Sequence, residues 1–447
     1  MPLIQSSLHL LPNPARVVIR PLKLASEPRE LNPVDDWRMH RIIAAVRAMD
    51  TRTVKAELVL VLNDFENRHY DIRKVFEERY EQVARDIGFA APLDQAQRQL
   101  IGACFCHEYS VGAAALMNPS IVRHPDQTNL SQGALRFILS LRAVGEGHIS
   151  SVTFRQGVVL SDGSLELEPE PDLAIAARAE SHDDGSVTFR RHDCSSRLDE
   201  MVLFPYTPAQ RNGLEDLRLV RFENGDGSTV YYGTYTAYSG ATIASEILET
   251  RDFESFELRP LQGSAARNKG MALFPRKFGK DYVMLGRQDG ESLYLLRSTD
   301  LLSWEHGEIL ARPEYAWELI QIGNCGAPIE LEEGWLVLTH GVGAMRKYSI
   351  GALLLDRDDP SRVIGRTAVP LLSPSDEARE GYVPNVVYTC GALAHAGRLI
   401  MPYGVADSSV SFASMDLAEL LAMLSPPAAA RSPIAQDVEP IRDRSDA

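Results

Sequence analysis

From Asn118 onward the chain is broken repeatedly by glycine, aspartate or asparagine, and the apolar runs between these breaks are short. Runs of that length, punctuated in that way, read as strands and turns rather than helices. The spacing predicts strands over 135–144, 151–160, 217–222, 229–236, 282–286, 293–298, 335–339, 351–356, 385–390 and 399–403. No long helical pattern separates them, so an all-β architecture is expected. A weak repeat runs through it. A strand ending in a small or hydroxyl residue, then Asp, then an apolar or aromatic residue, recurs at Asp162, Asp252, Asp300 and Asp416. Asp252 and Asp300 stand 48 residues apart, near the length of one four-stranded propeller blade, and Asp162 to Asp416 leaves room for about five such units.

The N-terminal quarter follows another period. After a β-prone segment at 15–24 and a charged, proline-containing link to about Asp36, apolar residues recur at helical spacing: Ile42, Ile43, Val46 and Met49, then Val54, Leu58 and Val61, then Ile72, Phe76 and Tyr80. Three helices are expected before residue 90 and a fourth near 93–104, with Asp50 or Thr51 capping the second and Asp71 starting the third. The expected organisation is a mostly helical N-terminal segment over 1–110, a β domain over 111–425 and a flexible tail over 426–447. Helical faces of this kind are packing surfaces, on the β domain or on another subunit, so self-association is expected. The acidic stretch at 162–197, with Gly185 near a hairpin turn, reads as an outer edge or an insertion.

Charge narrows the ligand. A formal net charge of −15 argues against sequence-independent nucleic-acid binding and against docking on anionic lipid. A neutral, sugar-like ligand fits, and an anion would need a local cluster of cations. Five scattered cysteines without CxxC spacing indicate neither a disulfide framework nor a metal site. The N-terminus lacks a basic region followed by an apolar core, so the protein reads as soluble and cytoplasmic.

The chemistry-bearing residues sit in short polar motifs. Gly213-Leu-Glu215-Asp216-Leu-Arg218 places two carboxylates behind a glycine turn, and a carboxyl that reaches a glycosidic oxygen can protonate it. Further along come Arg267-Asn268-Lys-Gly-Met-Ala-Leu-Phe-Pro, Leu-Gly-Arg287-Gln-Asp, Gly334-Trp-Leu-Val-Leu-Thr-His340-Gly-Val, Tyr348-Ser-Ile-Gly, Asn385-Val-Val-Tyr-Thr-Cys-Gly and Tyr403-Gly-Val-Ala-Asp407. In a propeller, such distant motifs converge at the central axis.

This ordered set resembles glycoside hydrolase family 130, the mannoside phosphorylases and related β-mannosidases, over roughly 118–424. The resemblance implies a five-bladed β-propeller, with the active site in the central cavity and no cofactor beyond inorganic phosphate as co-substrate; the helical segment read from the apolar period would be its N-terminal extension. It implies Asp216 as general acid in an inverting reaction and Arg267, Asn268, Arg287, His340 and Tyr348 as phosphate ligands. Asn118, Ser120, Arg142 and Asp407 would hold the mannosyl hydroxyls, and Glu215 is a supporting carboxylate. Two guanidiniums suit the forked recognition of a phosphate and supply the positive charge that an acidic protein needs to admit it.

Two positions depart from the family pattern. Leu217 stands where proline is usual, and Gln321 stands where many phosphorylases carry lysine. The favoured expectation is reversible phosphorolysis of short β-mannosides, with β-1,2-linked substrates among the candidates, to mannose 1-phosphate. The alternatives are an inverting exo-β-mannosidase and a non-catalytic sugar- or protein-binding propeller.

Overall fold

The computed structural model describes residues 3–24, 37–192 and 197–426. Most of the proline-containing link and, apart from Pro426, the tail over 426–447 lie outside the described residues.

Four helices form where the apolar period predicts them: Trp37–Ala48, Thr51–Phe65, Ile72–Asp86 and Gln95–Cys104. Local chemistry starts two of them. Asp50 accepts a hydrogen bond from the Thr53 N–H at 2.9 Å, and Asp94 forms a reciprocal capping box with Gln97. Asp71 begins the third helix in a left-handed conformation (φ 43°) without capping through its side chain. The helices pack mainly on one another, through Ile43, Val46, Val54, Tyr80, Val83 and Ile101, and through Leu58, Leu62, Ile72 and Phe76. Gly102 permits the closest approach, since a Cβ there would fall 1.7 Å from the Phe76 carbonyl oxygen. Two strands, Val17–Pro21 and Cys106–Ser110, pair antiparallel on either side of this helical segment.

The remainder is mostly β. Antiparallel strands Ala115–Arg123, Leu135–Val144 and Ser150–Val159 form one meander; Gly213–Glu223, Thr229–Tyr238, Ile243–Thr250 and Ser255–Pro260 form a second. A single parallel pair, Gly213 with Ser150, joins them into a twelve-stranded sheet. The acidic stretch at 162–192 supplies the outer edge of that sheet. Arg178–Ser181 and Val187–Arg190 turn back at Gly185 (φ 82°) and continue it from Ser255–Pro260. A third sheet holds Ala272–Leu273, Tyr282–Gly286, Leu293–Ser298 and Gly307–Ala311, and a fourth holds Gln321–Asn324, Trp335–Gly343, Lys347–Leu355 and Val363–Arg366. The last contains Val387–Tyr388, Arg398–Val405 and Ser409–Asp416, and its edge is completed by Ile4–Leu10 from the start of the chain.

Because side chains alternate across a strand, each sheet can present apolar residues on both faces. Val283 and Leu285 pack with Trp335, Val337 and Leu353 of the fourth sheet, whereas Met284 between them packs with Phe222 and Val230 of the second meander. Ile138 and Phe154 of the first meander share a cluster with Leu219 and Tyr231 of the second. Leu338 and Ile350 of the fourth sheet share one with Leu399 and Met401 of the last. The last sheet also contributes Ile400, Val410 and Phe412 to a cluster with Phe137, Leu139 and Leu141 of the first meander. No described sheet closes on itself by hydrogen bonding.

Candidate functional site

The first strands of the five strand groups lead to one polar cavity of about 180 Å³. It is lined by Asn118 and Arg142 from the first group, Asp216 and Arg218 from the second, Lys269 and Arg287 from the third, Asn324, His340, Arg346 and Tyr348 from the fourth, and Tyr388 and Asp407 from the last.

Backbone irregularities aim several of these residues. The pairing register shifts between Met117 and Ser120 and again between Glu215 and Arg218, and at these bulges Asn118 and Asp216 take left-handed conformations (φ 48° and 58°). Asn and Asp tolerate that region better than most side chains, and a bulge redirects the side chain it carries. The consequence is a direct contact: Asn118 Nδ2 donates to Asp216 Oδ1 at 2.5 Å. Asn268 (φ 69°) similarly turns the chain ahead of the third group, and its Oδ1 accepts from the Lys269 N–H at 2.8 Å.

Arg142 ties the carboxylate pair together. Its Nη1 donates to Asp216 Oδ1 at 3.1 Å, its Nη2 to Glu215 Oε1 at 2.6 Å and its Nε to Ser150 Oγ at 2.8 Å. The other oxygen of Glu215 accepts from Lys269 Nζ at 2.7 Å. Arg218 underlies the bulge, donating to the Asp216 carbonyl at 3.2 Å, the Cys325 carbonyl at 2.9 Å and the Tyr388 hydroxyl at 2.9 Å. Burial by itself raises the proton affinity of Asp216, but Arg142, Arg218, Lys269 and the Asn118 bond outweigh it and hold the carboxyl well below the usual range.

The far wall is aromatic and cationic. Arg287 Nη1 lies 3.1 Å from His340 Nε2, and the His340 ring stacks on Tyr348 with centroids 5.9 Å apart and planes 12° from parallel. Burial, then the nearby Arg287 and Arg218 charges, push the His340 imidazole well below its ordinary value, so it is neutral. With its amide oxygen turned toward Arg287, Gln321 accepts from that guanidinium and from the His340 Nε2–H at 3.0 Å, and donates to the Gly290 carbonyl at 3.2 Å. Asn324 is buried here with neither side-chain polar atom hydrogen-bonded.

Asp407 has the opposite electrostatics to Asp216. Burial and then the Asp216 charge push its carboxyl up to about 6, against the lowering effect of Arg142 and Arg346. Between about pH 4, where an unperturbed aspartate ionises, and the folded value, the native state holds a proton that the unfolded chain has released. Stability contributed by this group therefore falls as pH rises through that window. Asp407→Asn is expected to raise the denaturation midpoint relative to the parent at pH 7 and to leave it unchanged at pH 4. An unchanged midpoint at pH 7 would contradict this assignment.

Of the residues singled out in the sequence, Asn118, Arg142, Asp216, Arg287, His340, Tyr348 and Asp407 line the cavity. Ser120 is buried outside the cavity lining, its Oγ accepting from the Leu219 N–H at 3.1 Å. Arg267 is exposed and does not line the cavity, and Asn268 contributes its backbone turn rather than a lining side chain. Lys269, Arg218, Asn324, Arg346 and Tyr388 were not singled out. All but Arg346 lie in or directly beside motifs chosen for other residues, Asn324 closing the strand begun by Gln321.

Among the described residues, no group of three or more His, Cys, Asp or Glu is placed to hold a metal ion, and no helix is long and apolar enough to cross a membrane. Strands from every β group meeting at a pocket of carboxylates, guanidiniums and amides define a β-protein with a site for a hydroxyl-rich or anionic small molecule.

The chain belongs to glycoside hydrolase family 130: the family model, described as β-1,4-mannooligosaccharide phosphorylase, matches residues 180–425. It is 35% identical over 237 residues to the β-1,2-mannobiose phosphorylase of Listeria innocua, a match covering 51% of this chain and 64% of that protein. It is 32% identical over 230 residues to the 1,2-β-oligomannan phosphorylase of a Thermoanaerobacter species, covering 50% of this chain and 75% of that one. A solved structure described with glycoside hydrolases of the same family that target β-1,2 mannosidic linkages in Candida mannan matches with a TM-score of 0.50. Its identity is 18%, covering 69% of this chain and 86% of its own, and that likeness is one of fold.

Proposed function

We propose that the protein is an inverting mannoside phosphorylase that converts short β-mannosides, β-1,2-linked ones foremost, and phosphate to mannose 1-phosphate and the shortened sugar. The linkage follows the named relatives. The observation that carries the reaction is the charge of the cavity. Arg142, Arg218, Lys269, Arg287 and Arg346 line it against two carboxylates, Asp216 and Asp407, in a chain of net charge −15. Such a local excess of cations is what an anionic co-substrate requires.

In this reading Asn118, Arg142 and Asp407 hold the mannosyl hydroxyls beside Asp216, and phosphate lies against Arg287, His340 and Tyr348. A phosphate oxygen forms the bond to C1 as the C1–O bond to the departing sugar breaks. The Asp216 proton passes to the leaving oxygen, directly or through a sugar hydroxyl, and Asp216 is reprotonated from solvent. The charge of bound phosphate raises the proton affinity that the surrounding cations depress, so the acid is armed when both substrates are present.

We further propose that the five strand groups are the blades of a five-bladed propeller spanning about 111–425. Support comes from apolar clusters that link each group to the next and the last to the first. The N-terminal segment over 1–110 would be its helical extension, with Ile4–Leu10 closing the last blade. Cys104, Cys106, Cys325 and Cys390 are free thiols, which supports a reducing, cytoplasmic location. Exposed Val59 and Leu60 on the helix Thr51–Phe65 support self-association, and a monomer by light scattering would remove that part of the proposal.

Two observations favour hydrolysis as a second reading: Asp407 is a second carboxyl in the same cavity, and Gln321 brings no cation. Incubation with β-1,2- and β-1,4-mannobiose, with and without phosphate, separates the two. Mannose 1-phosphate is expected only with phosphate. Free mannose at an undiminished rate without it would establish the hydrolase.

A further inference from the structure

Most cations in the cavity already have partners. Arg142 and Lys269 are engaged by Glu215 and Asp216, Arg218 by two carbonyls and Tyr388, and Arg287 by Gln321. Arg346 differs. It lines the cavity, yet its guanidinium makes no hydrogen bond or ion pair with a described residue; its contact is with the Tyr348 ring, whose centroid lies 5.3 Å from Cζ.

The backbone that carries Arg346 is unusual as well. It ends the short turn Ala344–Arg346 between the strands Trp335–Gly343 and Lys347–Leu355, and Met345 and Arg346 are consecutive non-glycine residues in left-handed conformations (φ 57° and 55°). Residues held that way cost conformational energy and tend to cluster where a side chain must be aimed. Met345 is 89% exposed, so burial of its own side chain does not explain the turn. The turn instead sets Arg346 against the Tyr348 ring, on which the His340 ring also stacks, in the cavity that Arg287 shares.

We propose that Arg346 is a phosphate-contacting residue and supplies the second guanidinium of the anion site, beside the Tyr348 ring in the cavity that Arg287 also lines. Sequence motifs assign that role to Arg267, which is exposed like Arg346 but, unlike it, lies outside the cavity lining. This inference rests on the phosphorolysis reading. A guanidinium with all its donors available can grip a phosphate by forked hydrogen bonds, whereas Gln321, on the Arg287 side, adds no charge.

The test compares R346Q, R346K and R267Q in the full-length protein. It reads KM for phosphate, KM for β-1,2-mannobiose and kcat separately, with inorganic phosphate binding followed by calorimetry and folding by thermal melt. R346Q should raise KM for phosphate about tenfold or more, the loss expected for one charge-assisted contact, and change KM for mannobiose less than twofold. R346K should recover part of the loss, and R267Q should raise KM for phosphate less than R346Q does. A phosphate-dependent parent whose KM for phosphate is unmoved in R346Q overturns this inference alone. So does a rise confined to KM for mannobiose, which would place Arg346 on the sugar. Turnover of the parent without phosphate overturns the reading beneath it.

Discussion

Asp216→Asn is expected to lower kcat on β-mannobiose by about 10²–10⁴, the range supplied by a positioned general acid, with little change in KM. The substitution preserves size and keeps a group able to pair with Asn118, and Glu215 still neutralises Arg142 and Lys269. The fold should therefore survive, as a thermal melt would check. A mannoside with an activated leaving group needs no proton at the departing oxygen, so the variant should recover activity on it. Full activity of the variant on mannobiose would remove Asp216 from the acid role.

The second large effect is on stability. Arg142→Met should destabilise the protein by about 3–5 kcal/mol, because it removes the guanidinium shared by two buried carboxylates and leaves Glu215 with Lys269 and Asp216 with Asn118 as their remaining partners. Side-chain exposure is 18% for Arg142, 6% for Glu215 and 12% for Asp216, so water replaces little of the lost interaction. Methionine fills most of the volume, which isolates the charge from the packing. The double variant R142M/E215Q should regain part of the loss, since one of the stranded charges is gone. Urea denaturation monitored by fluorescence provides the numbers, and a change below about 1 kcal/mol in R142M would show that the pair is worth no more than a surface ion pair.

How far the sequence discloses this arrangement follows from the range of the interactions involved. The recurring aspartates were legible because their chemistry is local: Asp162, Asp252, Asp300 and Asp416 each accept from the backbone N–H two residues on, at 2.9 Å. The four helices were legible for the same reason, with apolar spacing and caps at Asp50 and Asp94. By contrast, Ile4–Leu10 completes a sheet with residues some four hundred positions away, and nothing in seven residues of strand-like sequence names that partner. Ala272–Leu273 is a two-residue strand, too short to carry a period, and the strand expected over 385–390 forms only at Val387–Tyr388.

Within the site, motif order identified the neighbourhoods and side-chain direction decided the residues. The Arg267-Asn268-Lys269 run drew attention to its first two members, but the left-handed turn at Asn268 presents Lys269 to the cavity and leaves Arg267 exposed. Glu215 was expected to support its neighbour, and its two oxygens hold Arg142 and Lys269 at 2.6 and 2.7 Å. Arg346 gave no signal, because a pair of left-handed residues without glycine cannot be read from sequence.

The central claim is that this cavity uses phosphate, rather than water, to invert a β-mannosidic linkage. Proton and phosphorus NMR of the first turnovers on β-1,2-mannobiose tests it most directly. The account predicts α-mannose 1-phosphate, formed in proportion to added phosphate, with no sugar release when phosphate is withheld. Free mannose appearing at the same rate in phosphate-free buffer, or a β-configured phosphate, would contradict it.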